Sequence, residues 1–214
     1  MDTISFQNVI PNVFEEVDNL QSELWNQSQT FQKGHLYLVE ATSGKGKSTF
    51  CSYLIGYRSD YQGQILFDQE NISSFGIARW TDIRQHAVSH LFQELRLFPE
   101  LTALENIEIK NNITHFQTKK QIISWFEQLG IEDKLNAKIG HMSFGQQQRV
   151  ALIRSLVQPF DFLLADEPIS HLDDDNAQKM QELMMKEAQR QGAGVIVTSI
   201  GKHARLNYEK IVKL

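Results

Sequence analysis

The residues best suited to chemistry form a glycine-rich loop at residues 41–49. Its sequence, ATSGKGKST, follows the apolar run LYLVE and precedes a segment with helical spacing. A strand, a glycine loop and a helix in this order are typical of a phosphate-binding loop, because glycines let successive backbone N–H groups converge on one anion. The N-terminus of the helix adds partial positive charge. The predicted phosphate ligands are Ala41, Thr42, Ser43, Gly44, Lys45, Gly46, Lys47, Ser48 and Thr49.

Two side chains of this loop have separate predicted roles. Lys47 would reach the β- and γ-phosphates of a nucleotide, and the hydroxyl of Ser48 would bind Mg²⁺. The full loop pattern has glycine where this chain has Ala41. Alanine fits if its φ angle is negative, so we expect the loop to tolerate it. The alternative is a glycine-containing turn that binds nothing.

A pair of carboxylates follows a second apolar run. In FDFLLADEP, residues 160–168, a predicted buried strand delivers Asp166 and Glu167 to its carboxyl end. Ligands of open α/β sheets bind at this end of the strands. Asp166 can take part in the magnesium shell, and Glu167 can polarise an attacking water. The alternative is a solvated carboxylate pair that caps the strand.

A third candidate is HMSFGQQQR, residues 141–149. Ser143 and the N–H groups of Phe144 and Gly145 precede a predicted helix, which is the position of an anion site at a helix N-terminus. An ordinary serine N-cap explains the same spacing equally well.

Composition limits the class of protein. The chain has 214 residues, of which 41% are hydrophobic and 22% charged, an ordinary globular balance. The net charge of −5 argues against a polycation that binds nucleic acid. The N-terminal sequence predicts no signal peptide, and no apolar run is long enough to cross a bilayer. The single cysteine, Cys51, fits a reducing compartment and is expected to pack as a small apolar residue.

Short apolar strands alternate with helices, which predicts an α/β fold with a largely parallel sheet. We expect an edge strand at 4–9 and helices near 118–130, 145–158 and 173–191. The mostly helical stretch 94–158 interrupts the alternation. We therefore predict one domain, 1–214, with a core of about 1–93 and 159–214 and an inserted helical subdomain.

Taken together, these motifs resemble the ATP-binding cassettes of ABC transporters, in order and over essentially the whole chain. ATSGKGKST looks like the Walker A loop, LLADEP like Walker B, MSFGQQQR like the LSGGQ signature and ISHLDD like the D-loop. Gln93 looks like the Q-loop glutamine, a metal ligand and catalytic residue. The resemblance implies a P-loop NTPase fold of the ABC type, with an antiparallel N-terminal portion, that uses ATP and Mg²⁺.

The resemblance also implies partners. Family members form head-to-tail dimers, so Ser143, Phe144, Gly145 and Gln146 would serve the nucleotide of a second subunit, together with Asp173 of the D-loop. We expect a homodimer in preference to a heterodimer. The region from Gln93 to Asn106 would receive an integral membrane permease, with its leucines exposed, which would place the chain on the cytoplasmic face of the cell membrane. No nucleic acid is expected.

Three further expectations concern departures from the family. Phe14 is the candidate that stacks on adenine, although a core phenylalanine is an equal alternative. Phe144 replaces a glycine, so its side chain must point away from the nucleotide. Ser199 replaces the switch histidine and cannot carry charge near neutral pH. His203 could substitute for that histidine, but a surface histidine is the preferred interpretation. We therefore expect slow hydrolysis.

The segments TALENI and LLADEP resemble the sequences of one branch of the family, the lipoprotein-release, macrolide-export and cell-division ATPases. The segment around Asp173 departs from that branch. Two other functions stay open. One is a nucleotide-gated module with little hydrolysis, against which Glu167 argues. The other is a soluble ABC ATPase outside transport.

Overall fold

The computed structural model describes residues 1–17, 20–42, 44–170, 172–200 and 206–214, and the described residues form nine strands and six α-helices. The strands are β1 (Thr3–Pro11), β2 (Ser28–Gln32), β3 (Leu36–Glu40), β4 (Tyr61–Phe67), β5 (Glu70–Asn71), β6 (Val88–Leu91), β7 (Phe162–Asp166), β8 (Gly194–Ser199) and β9 (Lys210–Lys213).

The helices follow the predicted order, and three of them, α3 to α5, come one after another between β6 and β7. They are α1 (Lys47–Leu54), α2 (Ile77–Asp82, continued by a π-helical turn at Ile83–Ala87), α3 (Ala103–Thr114), α4 (Lys119–Gln128), α5 (Phe144–Leu156) and α6 (Asp174–Gln191). The predicted helices near 118–130, 145–158 and 173–191 are all present within two residues of the expected ends.

Two sheets form the framework. The antiparallel sheet has the order β2-β1-β4-β5, and the parallel sheet has the order β6-β7-β8-β3-β9. The predicted α/β class, with a parallel core and an antiparallel N-terminal portion, is therefore confirmed. The prediction of an edge strand at 4–9 is wrong, because β1 pairs with both β2 and β4.

The order of the parallel sheet positions the candidate site. β8 lies between β3 and β7, with Val39 and Asp166 both opposite Thr198 in the register. Because the carboxyl ends of parallel strands meet at one edge, the loop that follows β3 and the carboxylates that end β7 come together. Every residue of β7 and β8 is buried, which explains their continuous apolar sequences.

Each face of the parallel sheet has its own hydrophobic core. On one face, α3 to α6 contribute buried residues such as Ile107, Phe126 and Leu183. On the other face, Phe6 of the antiparallel sheet, Trp25 of the segment between β1 and β2, and Phe50 of α1 are buried together. The helices α3 to α5 lie within the stretch predicted as a subdomain, but the division of the chain into core and subdomain stays a prediction.

The leucine-rich stretch after Gln93 differs from the prediction. Leu95 and Leu104 are buried in the helical core, and none of the leucines in this stretch is exposed. The exposed large side chain there is Phe98, at 49%. Leucine content alone does not show which face of a segment is buried, because a core and a docking surface use the same residue type.

Capping also differs in detail. The sequence predicts a reciprocal capping box between Thr118 and Gln121, but the structure has only one half of it. The Gln121 N–H donates to the Thr118 hydroxyl at 3.2 Å. A complete capping box forms instead at α3, between Thr102 and Glu105.

Packing of α4 gives a stability prediction. Phe126 is fully buried, so Phe126→Ala should lower the free energy of unfolding by about 3–5 kcal/mol, from lost burial and the cavity left behind. Phe98→Ala is the matched control and should cost less than about 1 kcal/mol, since Phe98 is half exposed. Urea denaturation measures both, and equal losses would contradict this view of the helical core.

Candidate functional site

The glycine loop has the backbone that a phosphate site requires. Gly44 and Gly46 have φ angles of +82° and +95°, in the left-handed region, and Gly46 is the N-cap of α1. A Cβ atom at Gly46 would lie 2.8 Å from Cε2 of Phe14, so only glycine fits there without a shift. The indole N–H of Trp25 donates to the Lys45 carbonyl at 3.2 Å and holds the loop from the side of the antiparallel sheet.

Ala41 takes the conformation that the sequence analysis required. It is buried, its φ is not among the positive values, and its N–H donates to the Ser199 carbonyl at 3.1 Å. The loop therefore accommodates alanine at this position, and its backbone is tied directly to the end of β8.

Lys47 lies at the centre of the site. Its ammonium group forms an ion pair with the Glu167 carboxylate and lies 3.4 Å from Oδ1 of Asp166. All three groups are largely enclosed. A buried cation requires compensating charge, and the two carboxylates supply it. The sequence elements 41–49 and 160–168 are thus brought together by one shared ammonium group.

Asp166 is the carboxylate most affected by its surroundings. Burial raises its pKa above the usual value, and this effect exceeds the opposing ones of the hydrogen bond from Thr198 and the charge of Lys47. The Thr198 hydroxyl donates to Oδ1 of Asp166. Thr198 therefore fixes the orientation of this carboxylate, and nothing in the sequence pattern singles it out.

Glu167 sits in a strained conformation. Its φ is +48°, in the left-handed region that non-glycine residues seldom adopt, and its N–H donates to the Thr198 carbonyl at 3.0 Å. Such a conformation costs of the order of 1–2 kcal/mol and persists only where neighbouring contacts enforce it. Here it turns the chain at the end of β7, so that the carboxylate of Glu167 faces Lys47.

A cavity of about 410 Å³ opens over the loop. Its lining consists of Val13, Phe14, Thr42, Gly44, Gly46, Lys47, Ser48, Thr49, Arg58, Gln93 and Ile200. Its size is within the range of small-molecule sites. The cavity joins the predicted loop residues with Phe14 and Gln93, which lie far from them in sequence.

Arg58 is a cation of this cavity that the sequence analysis missed. Its guanidinium donates to the Thr49 hydroxyl at 3.1 Å and pairs with Asp60, both through side-chain contacts. It follows α1 in a loop without a recognisable pattern, so no sequence signal could have assigned it to the site.

The oxygen donors around Lys47 suit a magnesium ion. Ser48 and Gln93 line the cavity, and Asp166 lies beside Lys47. A hydroxyl, an amide carbonyl and a carboxylate are hard oxygen donors of the kind that Mg²⁺ prefers. The predicted donor set fits the ion in chemical type, and its role as a magnesium site stays a prediction.

The 143–146 segment lies elsewhere. Ser143 caps α5, where its hydroxyl accepts from the Gln146 N–H and its own N–H donates to Oε1 of Gln146 at 3.0 Å. The N-cap interpretation is thus confirmed. None of residues 143–146 lines the cavity over the loop, and Phe144 is 45% exposed. Among the described residues of one chain, this segment therefore lies outside the cavity over the loop.

Asp173 lies close to this segment instead. It caps α6, and its carboxylate accepts from the N–H of Asn176 at 2.9 Å. Arg149 of α5 donates to Oδ1 of Asn176 at 2.8 Å, and a Cβ atom on Gly145 would lie 3.1 Å from Leu172. The predicted signature and D-loop therefore form one continuous surface.

Three remaining predictions concern positions around β8 and the loop. Ser199 ends β8 and is buried beside the loop, where its carbonyl accepts from Ala41. Ser43 and His203 lie outside the described residues. Among the described helices, none has the length and apolar character needed to span a bilayer.

Several known proteins are similar to this chain in sequence. The family model described as ABC transporter matches residues 24–170. The uncharacterized ABC transporter ATP-binding protein YclH of Bacillus subtilis (strain 168) is 34% identical over 79% of this chain and 76% of its own length. The lipoprotein-releasing system ATP-binding protein LolD of Myxococcus xanthus (strain DK1622) is 28% identical over 93% of this chain and 90% of its own length.

Solved structures agree. The bacterial ABC transporter cassette MJ0796, solved as a dimer, superposes with a TM-score of 0.78 at 27% identity, over 92% of this chain and 87% of that one. A second structure of the same cassette is a dimer in a post-hydrolysis state, bound to ADP and Pi, again with a TM-score of 0.78, at 26% identity and with the same coverage of both chains.

His90 gives a prediction about acid stability. Burial, with smaller contributions from Lys110 and Arg96, lowers its pKa to about 3. An unfolded histidine titrates near 6.5, so between about pH 6.5 and 3 only the unfolded chain binds this proton, and stability falls as pH falls. From pH 7 to pH 5, the free energy of unfolding of the wild type should therefore fall by about 2 kcal/mol more than that of His90→Phe. Urea denaturation in EDTA measures this, and parallel pH profiles would contradict it.

Proposed function

Because this chain belongs to the ABC transporter family, as an ATP-binding cassette, we propose that it binds Mg–ATP at the glycine loop and hydrolyses it to power a membrane transport complex. The single observation that carries the proposal is the ion-paired cluster of Lys47, Asp166 and Glu167, in which Lys47 lines the cavity of about 410 Å³. The cluster combines a phosphate-binding cation with two carboxylates of separate roles.

Phosphate binding would use the loop backbone and two cations. The N–H groups of residues 42–49 and the N-terminus of α1 would surround the β-phosphate, with Lys47 reaching the β- and γ-phosphates. Arg58 adds a second positive charge to the cavity wall. Phe14 also lines the cavity and would offer its aromatic ring to adenine.

Magnesium would be held by Ser48, Gln93 and Asp166. Bound there, the ion supplies positive charge that neutralises the phosphate oxygens. Thr198 keeps the Asp166 carboxylate oriented for this role through its hydroxyl. The raised pKa of Asp166 is then expected to return toward its usual value, since a nearby cation favours the ionised form.

Glu167 is the proposed catalytic carboxylate. The left-handed backbone of Glu167 directs its carboxylate toward Lys47. With nucleotide bound, this carboxylate can leave the ion pair and polarise a water molecule next to the γ-phosphate. Ser199 stands beside the loop at the place of the switch histidine and can donate one hydrogen bond but no charge. We therefore expect slow hydrolysis. A relative of this fold has been captured with ADP and Pi, which supports hydrolysis as the family's reaction.

A second subunit would complete each site. The segment of Ser143, Phe144, Gly145 and Gln146 lies outside the cavity of its own chain, on a surface shared with Asp173. In a two-fold dimer this surface can face the loop of the other chain. The cassette MJ0796 is a dimer, which supports this arrangement. Two identical chains are the simplest assembly.

A membrane permease is the proposed partner for energy coupling. It would contact the region from Gln93 to Asn106, where Gln93 and Phe98 are exposed and the leucines are not. The chain would then lie on the cytoplasmic face of the cell membrane. One relative is named for a lipoprotein-releasing system, which supports a permease of that branch.

Two substitutions that each remove a charge from the site should separate Mg–ATP binding from ATP hydrolysis. Lys47→Ala should weaken Mg–ATP binding at least about 10-fold, because the γ-phosphate loses its cation, whereas Lys45→Ala, on the exposed part of the same loop, should change it less than about 3-fold. Glu167→Gln should retain binding and lower the ATPase rate at least about 100-fold. Fluorescent-nucleotide titration and phosphate release measure the two effects.

Two results would contradict the proposal. Unchanged nucleotide affinity in Lys47→Ala would show that the loop is not the phosphate site. A wild-type rate no higher than that of Glu167→Gln, alone and with the membrane subunit, would leave a nucleotide-gated module as the function.

Subunit mixing tests the composite site. In a Glu167→Gln background, Lys47→Ala chains lack a working loop, and Ser143→Arg chains lack a working signature segment. Neither variant by itself should dimerise in the presence of ATP. Mixed in equal amounts, they should dimerise, because one of the two sites in each heterodimer pairs an intact loop with an intact segment. Gel filtration with ATP measures this, and a mixture that stays monomeric would contradict the head-to-tail arrangement.

A further inference from the structure

Three metal-binding side chains meet behind the glycine loop. Cys51 comes from α1, His90 from β6 and Asp166 from β7. His90 is opposite Leu164 in the sheet register, so Asp166, two residues further along β7, projects from the same face. That face packs against α1, which carries Cys51 into the same space. The cluster therefore follows from the register of two parallel strands and the position of one helix.

The distances are close to those of a bound ion. The thiol sulfur, a ring nitrogen of His90 and a carboxylate oxygen of Asp166 all lie within 4.8 Å of one another. Tetrahedral zinc, with bonds of about 2.0–2.3 Å, places its ligand atoms about 3.3–3.8 Å apart. Small side-chain rotations would close the remaining difference of about 1 Å.

His90 supplies an independent observation. Both of its ring nitrogens are inaccessible to solvent, and neither has a hydrogen-bond partner among the described residues. Buried polar atoms are nearly always satisfied, and an unsatisfied one calls for an explanation such as an ion. A ring nitrogen without a competing partner is available to ligate a metal.

We propose that Cys51, His90 and Asp166 form a zinc site. A thiolate, an imidazole and a carboxylate are a donor set that zinc accepts, and sulfur and nitrogen donors favour it over Mg²⁺. The three ligands leave a fourth position for water. Binding replaces the thiol proton of Cys51, which passes to solvent, and involves no redox change.

The site has a regulatory consequence that rests on the proposed function. Asp166 serves both ions in these proposals, so turning its carboxylate toward zinc would weaken its hold on the magnesium of Mg–ATP. Zinc and Mg–ATP therefore compete, so zinc inhibits ATP binding, and a high concentration of Mg–ATP expels the metal. The cassette would then respond to free zinc through a group that also serves the nucleotide.

Cobalt titration of the untagged wild-type protein, without nucleotide, tests the site directly. The chain has one cysteine, so a thiolate-to-cobalt charge-transfer band in the near ultraviolet can only report Cys51. We expect the band to saturate at one Co²⁺ per chain and to be bleached by Zn²⁺. No band in the wild type overturns the proposal, and this result does not depend on whether any variant folds.

Variants then assign the other ligands. Cys51→Ser should abolish the band, and His90→Phe should weaken cobalt binding at least about 10-fold. His86→Phe is the matched control, because His86 is an exposed histidine on the preceding turn, and it should leave the titration unchanged. A band that persists in Cys51→Ser, or equal losses in the two histidine variants, overturns the site.

Competition with Mg–ATP tests the consequence. At matched concentrations of free Co²⁺, Mg–ATP at a concentration that saturates the wild type should weaken cobalt binding at least about 10-fold there. The same concentration should have a smaller effect in Lys47→Ala, whose affinity for Mg–ATP is lower. If the wild type binds cobalt equally well with and without Mg–ATP, while Mg–ATP binding itself is confirmed, the competition is refuted although the proposed ATPase function stands.

Discussion

The structure depends on one electrostatic constraint, the enclosure of the Lys47 ammonium between Asp166 and Glu167. A charge removed from water must be matched by opposite charge at close range. The parallel sheet supplies the match, because β3 ends in the loop that carries Lys47 and β7 ends in the two carboxylates, with only β8 between them. The left-handed backbone of Glu167 is the local strain that this arrangement requires. The other groups of the cavity are arranged around this cluster.

The sequence predicted the parts of the site that are encoded locally. The loop, the start of α1 and the carboxylate pair each depend on a few adjacent residues, and the structure has all three where they were expected. Groups that reach the site by long-range contacts could not be predicted, among them Arg58, Thr198 and the indole of Trp25. Each is an ordinary residue in its own segment and acquires its position only when distant strands pair.

Two of the wrong predictions have the same origin. Whether β1 lies at an edge depends on β4, which arrives more than 50 residues later. Whether the leucines after Gln93 face solvent or the core depends on α3 to α5. At the signature, by contrast, the sequence allowed two interpretations, an anion site and a serine N-cap. The structure has Ser143 as the N-cap of α5. A cap and an anion site use the same helix end, so the first is compatible with the second.

The hydrogen bond from the Trp25 indole to the Lys45 carbonyl makes the loop visible to spectroscopy. Trp25 is fully enclosed in the core beneath the antiparallel sheet and packs edge-on against Phe6 and Tyr53. The Lys45 carbonyl is the polar contact of this indole, and the emission of an indole depends on such a contact. Any rearrangement of the loop backbone at Lys45 would alter that contact. The protein thus carries an intrinsic fluorophore whose emission reports on the geometry of the loop backbone.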